Sequence, residues 1–180
     1  MPGQQLSEVR AAERFECSRN TLRESFAMLA AERIVERLPH RGVFIATPDE
    51  DFVRDLYLAR AAIEPAAARY GTFPDPSELI RLTESAALSD APRPLLNQQF
   101  HRQLVAGLGS ATLDRTMSHL LARMRVTFLL TLERYPHIHD DHVQSNIDLA
   151  QLIARGERDA AADACRADLM RAMNAILRVL

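Results

Sequence analysis

Between residues 52 and 180 apolar side chains recur every three to four positions, whereas the first 46 residues change their period partway. Phe52, Leu56, Ala59, Ile63, Ala66, Ala67 and Tyr70 fall at helical spacing, interrupted only by Pro65. The string Asp75-Pro76-Ser77-Glu78 has the marks of a helix start: an Asp cap, Pro in the first helical position and Glu in the third. Further helices are predicted at about 94–107, 111–134, 140–155 and 158–179, separated by residues 71–74, Pro92 and Pro94, 107–110, Tyr135-Pro136 and Gly156. Upstream, residues 6–32 hold two short helical patterns with a tight connection. Residues 33–46 then turn strand-like, with Ile34-Val35-Glu36-Arg37-Leu38 and Val43-Phe44-Ile45-Ala46 on either side of a Gly-containing turn, which predicts a hairpin.

Two helices followed by a hairpin make the core of a winged helix-turn-helix. The expected architecture is mainly α: a winged helix-turn-helix at 1–46, a linker at 47–51, and an all-α bundle of about six helices at 52–180. Composition is compatible with this, since 180 residues, 47% of them hydrophobic and only 6 glycines, can bury a real core. The chain has no apolar run of membrane-spanning length and no charged-then-apolar start, so a soluble, cytoplasmic protein with no membrane partner is expected. Cys17 and Cys165 lie far apart without metal-ligand spacing and are read as reduced. A net charge of −2 carries no global signal for nucleic acid, so any such claim has to rest on a local motif.

That motif lies in the first domain. A first helix at about Glu8 to Phe15 leads through Glu16-Cys17 to a second whose cap is Ser18. Arg19, Asn20, Thr21 and Arg23 crowd the N-terminal end of this helix, the end that reaches base edges when a helix enters a major groove. Arginine suits guanine, Asn suits adenine or phosphate, and Thr suits phosphate or a thymine methyl. Leu22, Phe26 and Leu29 form the opposite, buried face. Arg41-Gly42 at the hairpin tip sets a cation beside a residue that lets backbone approach a phosphate or minor groove. The basic excess is slight, seven arginines against six glutamates in the first 46 residues.

A second string competes for attention. His137-Ile138-His139-Asp140-Asp141-His142 satisfies H-x-H-x-D-H, the zinc signature of a two-metal hydrolase. In such enzymes the loop follows a buried strand and later segments supply more ligands. Here it follows the helical face of Leu113, Met117, Leu120, Leu121 and Met124 and precedes another helical pattern, and no His occurs after His142. We read it as a helix boundary, leaving a hydrolase built on His137, His139 and His142 as a lesser alternative and catalysis as unexpected. His119 is read as an ordinary helix residue.

The first domain resembles the DNA-binding domain of GntR-family bacterial regulators, whose pattern runs PG..L.E..LA…VSR..VREAL..L..EG.V…RG.FV. The match falls on Pro2-Gly3, Leu6, Glu8, Ser18-Arg19, Leu22-Arg23-Glu24, Leu29 and Arg41-Gly42. The resemblance implies a DNA-binding regulator, a repressor or an activator, with Ser18, Arg19, Asn20, Thr21, Arg23 and Gly42 in contacting positions. Family members carry a helix before PG..L, where this chain starts, so either the sequence is truncated there or the head lacks its first helix. The helical part is similar to the FCD effector domain of one branch of that family: Arg60-Ala-Ala-Ile-Glu64 matches R-x-x-[LI]-E, Asn97-Gln-Gln-Phe100-His101 matches D-x-x-F-H, and 149–168 matches the final helix pair. The implied mechanism is a homodimer whose effector, a carboxylate or similar polar molecule, shifts its grip on operator DNA.

In that family the first residue of D-x-x-F-H, its His and two later His bind a divalent metal beneath the effector. The matching set here is Asn97, His101, Asn146 and Asp168, with Arg60 offering a carboxylate fork. Asn97 and His101 are four apart on one helix face. Asn146 lies ten residues before Gly156 and Asp168 twelve after it, so a helical hairpin at Gly156 would bring them level. Amides are poor ligands for zinc or nickel, which leaves His101 and Asp168 as a weak pair. No cofactor is required by this reading. The remaining alternative is a helical binding protein whose head has lost DNA binding.

Overall fold

The computed structural model describes residues 1–88, 93–131, 134 and 138–180. Its first part is built from α1 (Glu8–Arg14) and α2 (Arg19–Ala31) set against a three-stranded antiparallel sheet of β1 (Gln5–Leu6), β2 (Val35–Leu38) and β3 (Gly42–Ile45) in the order β1-β3-β2. The hairpin pairs Val35 with Ile45 and Leu38 with Gly42, while β1 lies on the far side of β3 with Gln5 opposite Phe44. β1 escapes the sequence pattern because two residues cannot display an alternation. Serine caps hold both helices: Ser7 Oγ accepts from the Arg10 amide at 3.3 Å and Ser18 Oγ from the Thr21 amide at 3.1 Å. Leu22, Phe26, Val35 and Val43 form the small core, with Leu29 only half-buried at its edge.

The second part is a bundle of six helices: α3 (Glu50–Tyr70), α4 (Ser77–Leu88), α5 (Arg93–Ala106), α6 (Ala111–Thr131), α7 (Ile138–Ala154) and α8 (Arg158–Leu177). Helix α3 starts inside the expected linker, because Asp49 Oδ1 accepts the Phe52 amide at 2.7 Å and caps it there. It packs most extensively on α8. Pro65 fails to break α3, although it cannot donate to the Ala61 carbonyl one turn back. That carbonyl instead receives the Arg166 guanidinium from α8 at 3.5 Å, so the flanking helix supplies the missing donor. Tyr70, placed on the apolar face by its spacing, is exposed at the end of α3. Between α7 and α8, Gly156 takes φ +76° and closes the predicted hairpin. The core runs through Phe52, Leu56, Tyr57, Phe100, Leu104, Met117, Met124, Ile153 and Ile176.

Candidate effector cavity and DNA-reading surface

Within this bundle lies a cavity lined by charged and polar side chains from four helices, among them Arg60 and Glu64 of α3, Asn97 and His101 of α5, Asn146 of α7 and Asp168 of α8. Phe128, Leu149, Leu169 and Ala172 supply its apolar wall. Its free space is about 20 Å³, room for roughly one water-sized group. The five residues singled out from sequence therefore share one site: helical spacing brings Asn97 and His101 together, and the Gly156 hairpin brings Asn146 and Asp168.

Arg60 differs from its expected form. Rather than presenting an open fork, it donates from Nε to Glu64 Oε1 at 2.6 Å, one helical turn away, and from Nη1 to the Met124 sulfur at 3.0 Å. Its guanidinium also lies 5.2 Å from the Tyr57 ring. The other Glu64 oxygen meets His101 Nδ1 at 2.7 Å. Arg60 is 2% and Glu64 0% exposed, so the ion pair stands out of water. Burial alone would push the Glu64 carboxyl up, but the guanidinium and the imidazole outweigh it and hold the group well below the usual carboxylate range. Burial holds His101 below its ordinary range, against the pull of Glu64. An ionised carboxylate only accepts, so Nδ1 carries the shared proton and Nε2 of the neutral ring keeps a lone pair. Burial also pushes the Cys165 thiol up, which leaves it uncharged in the wall.

Across the cavity Asn146 Nδ2 donates to Asn97 Oδ1 at 2.7 Å, which occupies one acceptor of the amide pair and leaves Asn146 Oδ1 open. Asp168 contacts Arg171, itself mostly exposed at the outer end. Glu64 closes the Arg60-Ala-Ala-Ile-Glu64 motif, and its part in this network was not foreseen. Its i,i+4 spacing from Arg60 was the available signal.

A divalent metal at these positions would have Nε2 of His101 and one carboxylate, but its other two donors would be amides bonded to each other, a set that does not fit zinc or nickel. Among the described residues no cluster of three His, Cys, Asp or Glu side chains is arranged to hold a metal. The hydrolase alternative meets a helix where its metal loop should be, since 138–142 form the first turn of α7. His137 lies outside the described residues, as do the side chains of His139, Asp140 and Asp141. His142 stacks on Phe128 with centroids 5.9 Å apart and lines the same cavity as Arg60 and His101.

The expected DNA-reading residues are gathered on the head. Arg19, Asn20, Thr21 and Arg23 are exposed along the first turns of α2. Several are already engaged within the head. Ser18 Oγ and Thr21 Oγ1 bond each other at 2.8 Å within the cap, Asn20 Nδ2 donates to Glu24 at 3.0 Å, and Arg23 Nε meets Glu8 at 3.3 Å. Arg19 makes no hydrogen bond or ion pair among the described residues and is free to reach a partner. Arg41 is exposed beside Phe44, and Gly42 takes φ +106° with its backbone against Gln5, where a Cβ would stand 2.9 Å from Nε2. The C-terminal cap of α2 touches the bundle: Glu32 meets His119 of α6 at 3.0 Å, and Arg33 and Arg123 both lie on the Phe52 ring.

Comparison with known proteins agrees with both halves. The model for the FCD domain matches residues 55–171, and that for bacterial regulatory proteins of the gntR family matches residues 1–45. The Nta operon transcriptional regulator of Aminobacter aminovorans is 24% identical over 99% of this chain and 87% of its own length. The HTH-type transcriptional repressor GlaR of Escherichia coli K12 is 30% identical, with 78% of this chain and 73% of that protein covered. A crystal structure of a GntR transcriptional regulator from Rhodococcus sp. RHA1 superposes with a TM-score of 0.84 at 26% identity, covering 99% of this chain and 89% of that one. No described helix is long and apolar enough to cross a membrane. The chain belongs to the GntR family of bacterial transcription regulators, in the branch that joins a helix-turn-helix DNA-binding domain to an FCD effector-binding domain.

Proposed function

We propose that this regulator works as a cytoplasmic homodimer in which a small molecule entering the Arg60–Glu64–His101 cavity alters the arrangement of the two DNA heads, without a resident metal and without catalysis. The observation that carries the reading is the cavity itself, polar and charged in the middle of a bundle core, fed by α3, α5, α7 and α8. Such groups cost free energy to bury, and a core needing only stability would fill the site with apolar side chains. A ligand there changes DNA affinity only through unequal affinity for two arrangements. Helix α6 offers a route, because Met124 and Phe128 touch the site while His119 touches the recognition helix's cap at Glu32.

Arg19, Asn20, Thr21 and Arg23 are the proposed groove contacts, with Arg41 and Gly42 at the wing. A two-fold dimer presents two such heads to half-sites about one helical turn apart. The organic acid that the family resemblance implies would find only the outer edge of an Arg60 guanidinium already paired with Glu64, and a divalent metal only His101 and Asp168. The test is fluorescence anisotropy with the protein's own upstream DNA, together with light scattering. Sequence-selective binding by a dimer supports the reading, and monomer at micromolar concentration contradicts it.

A further inference from the structure

We propose that the cavity takes the ammonium head of a small primary amine, seated among His101, Asn146 and Asp168 at the position where the family places its metal. This rests on the reading of the cavity as an effector site and names the ligand class.

The charge balance of the lining points this way. Arg60 and Glu64 cancel one another at 2.6 Å, both fully buried. Cys165 is uncharged, and His101 donates its Nδ1 proton to Glu64. Asp168 is then the one lining carboxylate among the described residues with no cation inside the cavity, since the guanidinium it touches, Arg171, is 67% exposed on the solvent side. His142, the remaining titratable lining residue, adds no negative charge. An entering carboxylate would meet Asp168 and a guanidinium already paired; an entering cation meets a carboxylate whose ion-pair partner among the described residues lies on the solvent side.

Hydrogen-bond polarity agrees with charge. Three acceptors come from three helices: the free Nε2 of His101 on α5, Oδ1 of Asn146 on α7, whose amide nitrogen is spent on Asn97, and the Asp168 carboxylate on α8. An ammonium group carries three N–H donors and no acceptor. Amide oxygens are weak ligands for zinc but full acceptors for N–H, so the substitutions that spoil a metal set leave an ammonium set intact. Size fits as well, because the free space of about 20 Å³ holds roughly one water-sized group, the size of an ammonium head. The alkyl part of the ligand would lie on Phe128, Leu149 and Leu169.

The experiment is calorimetric titration of the full-length chain with n-propylamine hydrochloride, sodium propionate and zinc chloride in separate runs. Propylammonium is expected to bind once per chain and propionate not to bind. Asp168→Asn should weaken propylammonium about ten- to a hundredfold, the loss of one charge-assisted contact. Asn146→Asp, which strengthens an acceptor, should tighten it. The opposite signs keep the test informative if one variant folds poorly, and far-UV circular dichroism identifies that case. Propionate binding in place of propylammonium, stoichiometric zinc, or binding of none of the three each overturns the proposal. Upstream-DNA binding by the same samples separates the outcomes: intact DNA binding with no amine binding defeats the ligand class alone, whereas loss of selective DNA binding defeats the regulator reading.

Discussion

Replacing Glu64 by Gln removes one charge and almost no volume, so its effect isolates the electrostatics of the buried network. Glu64 accepts from Arg60 at 2.6 Å and meets His101 at 2.7 Å with both oxygens out of solvent. The imidazole can adapt to Gln by moving its proton to Nε2, so that side loses little. Arg60 cannot adapt. Its guanidinium stays charged, fully buried, with a thioether and an aromatic ring as its remaining neighbours. Removing one partner of a buried pair costs about 3–5 kcal/mol, which is a large share of the roughly 5–15 kcal/mol that holds a domain folded. With a urea m-value of about 2 kcal/mol/M the midpoint should fall by about 2 M, read by far-UV circular dichroism, which reports mainly the bundle. Arg60→Met combined with Glu64→Leu removes both charges and should recover most of the loss. A Glu64→Gln variant within about 1 kcal/mol of the parent, or a double variant less stable than the single one, would refute the view that the network is a charged pair held out of water.

Other expectations follow from the same geometry. Arg19→Ala should cost about 1–3 kcal/mol of operator discrimination in an anisotropy titration, and Arg23→Ala should cost less once the released Glu8 is also neutralised, because Arg23 divides its charge with Glu8. Folding stability should hold near neutral pH and decline on acidification. His101 titrates below its ordinary 6.5 when folded and Glu64 below its ordinary 4.5, so in both cases the unfolded chain takes up protons first, draining stability from about pH 6.5 and again below about 4.5. Urea midpoints across that range check the sign, and Glu64→Gln should flatten the lower part. His119→Ala should leave ligand affinity in the cavity unchanged while reducing its effect on DNA binding, since His119 meets Glu32 at the cap of α2; an unaltered DNA response would show that α6 is not the route.

What the sequence disclosed was whatever repeats along a helix or sits in a local motif. The caps at Ser18 and Asp75, the turn at Gly156 and the shared face of Asn97 and His101 are all short-range features, and all appear in the fold. The missed features depend on partners far away in the chain. Pro65 looked like an interruption because the donor that satisfies Ala61 comes from Arg166, 105 residues on. Glu64 looked like one more motif position because its second partner, His101, is 37 residues away. Arg60 read as a fork for a ligand, whereas spacing alone could not tell an open guanidinium from one already paired within its own helix. The same blindness applied to His119, an ordinary surface residue until the head is placed against the bundle.

A regulator of this kind must bind DNA selectively as the intact chain. Anisotropy titrations of a labelled duplex from its own upstream region and of a shuffled duplex, at several salt concentrations, measure this directly. The expected result is a preference of at least about a thousandfold for the upstream duplex, with affinity falling steeply as salt rises. Equal affinity for the two duplexes would contradict it.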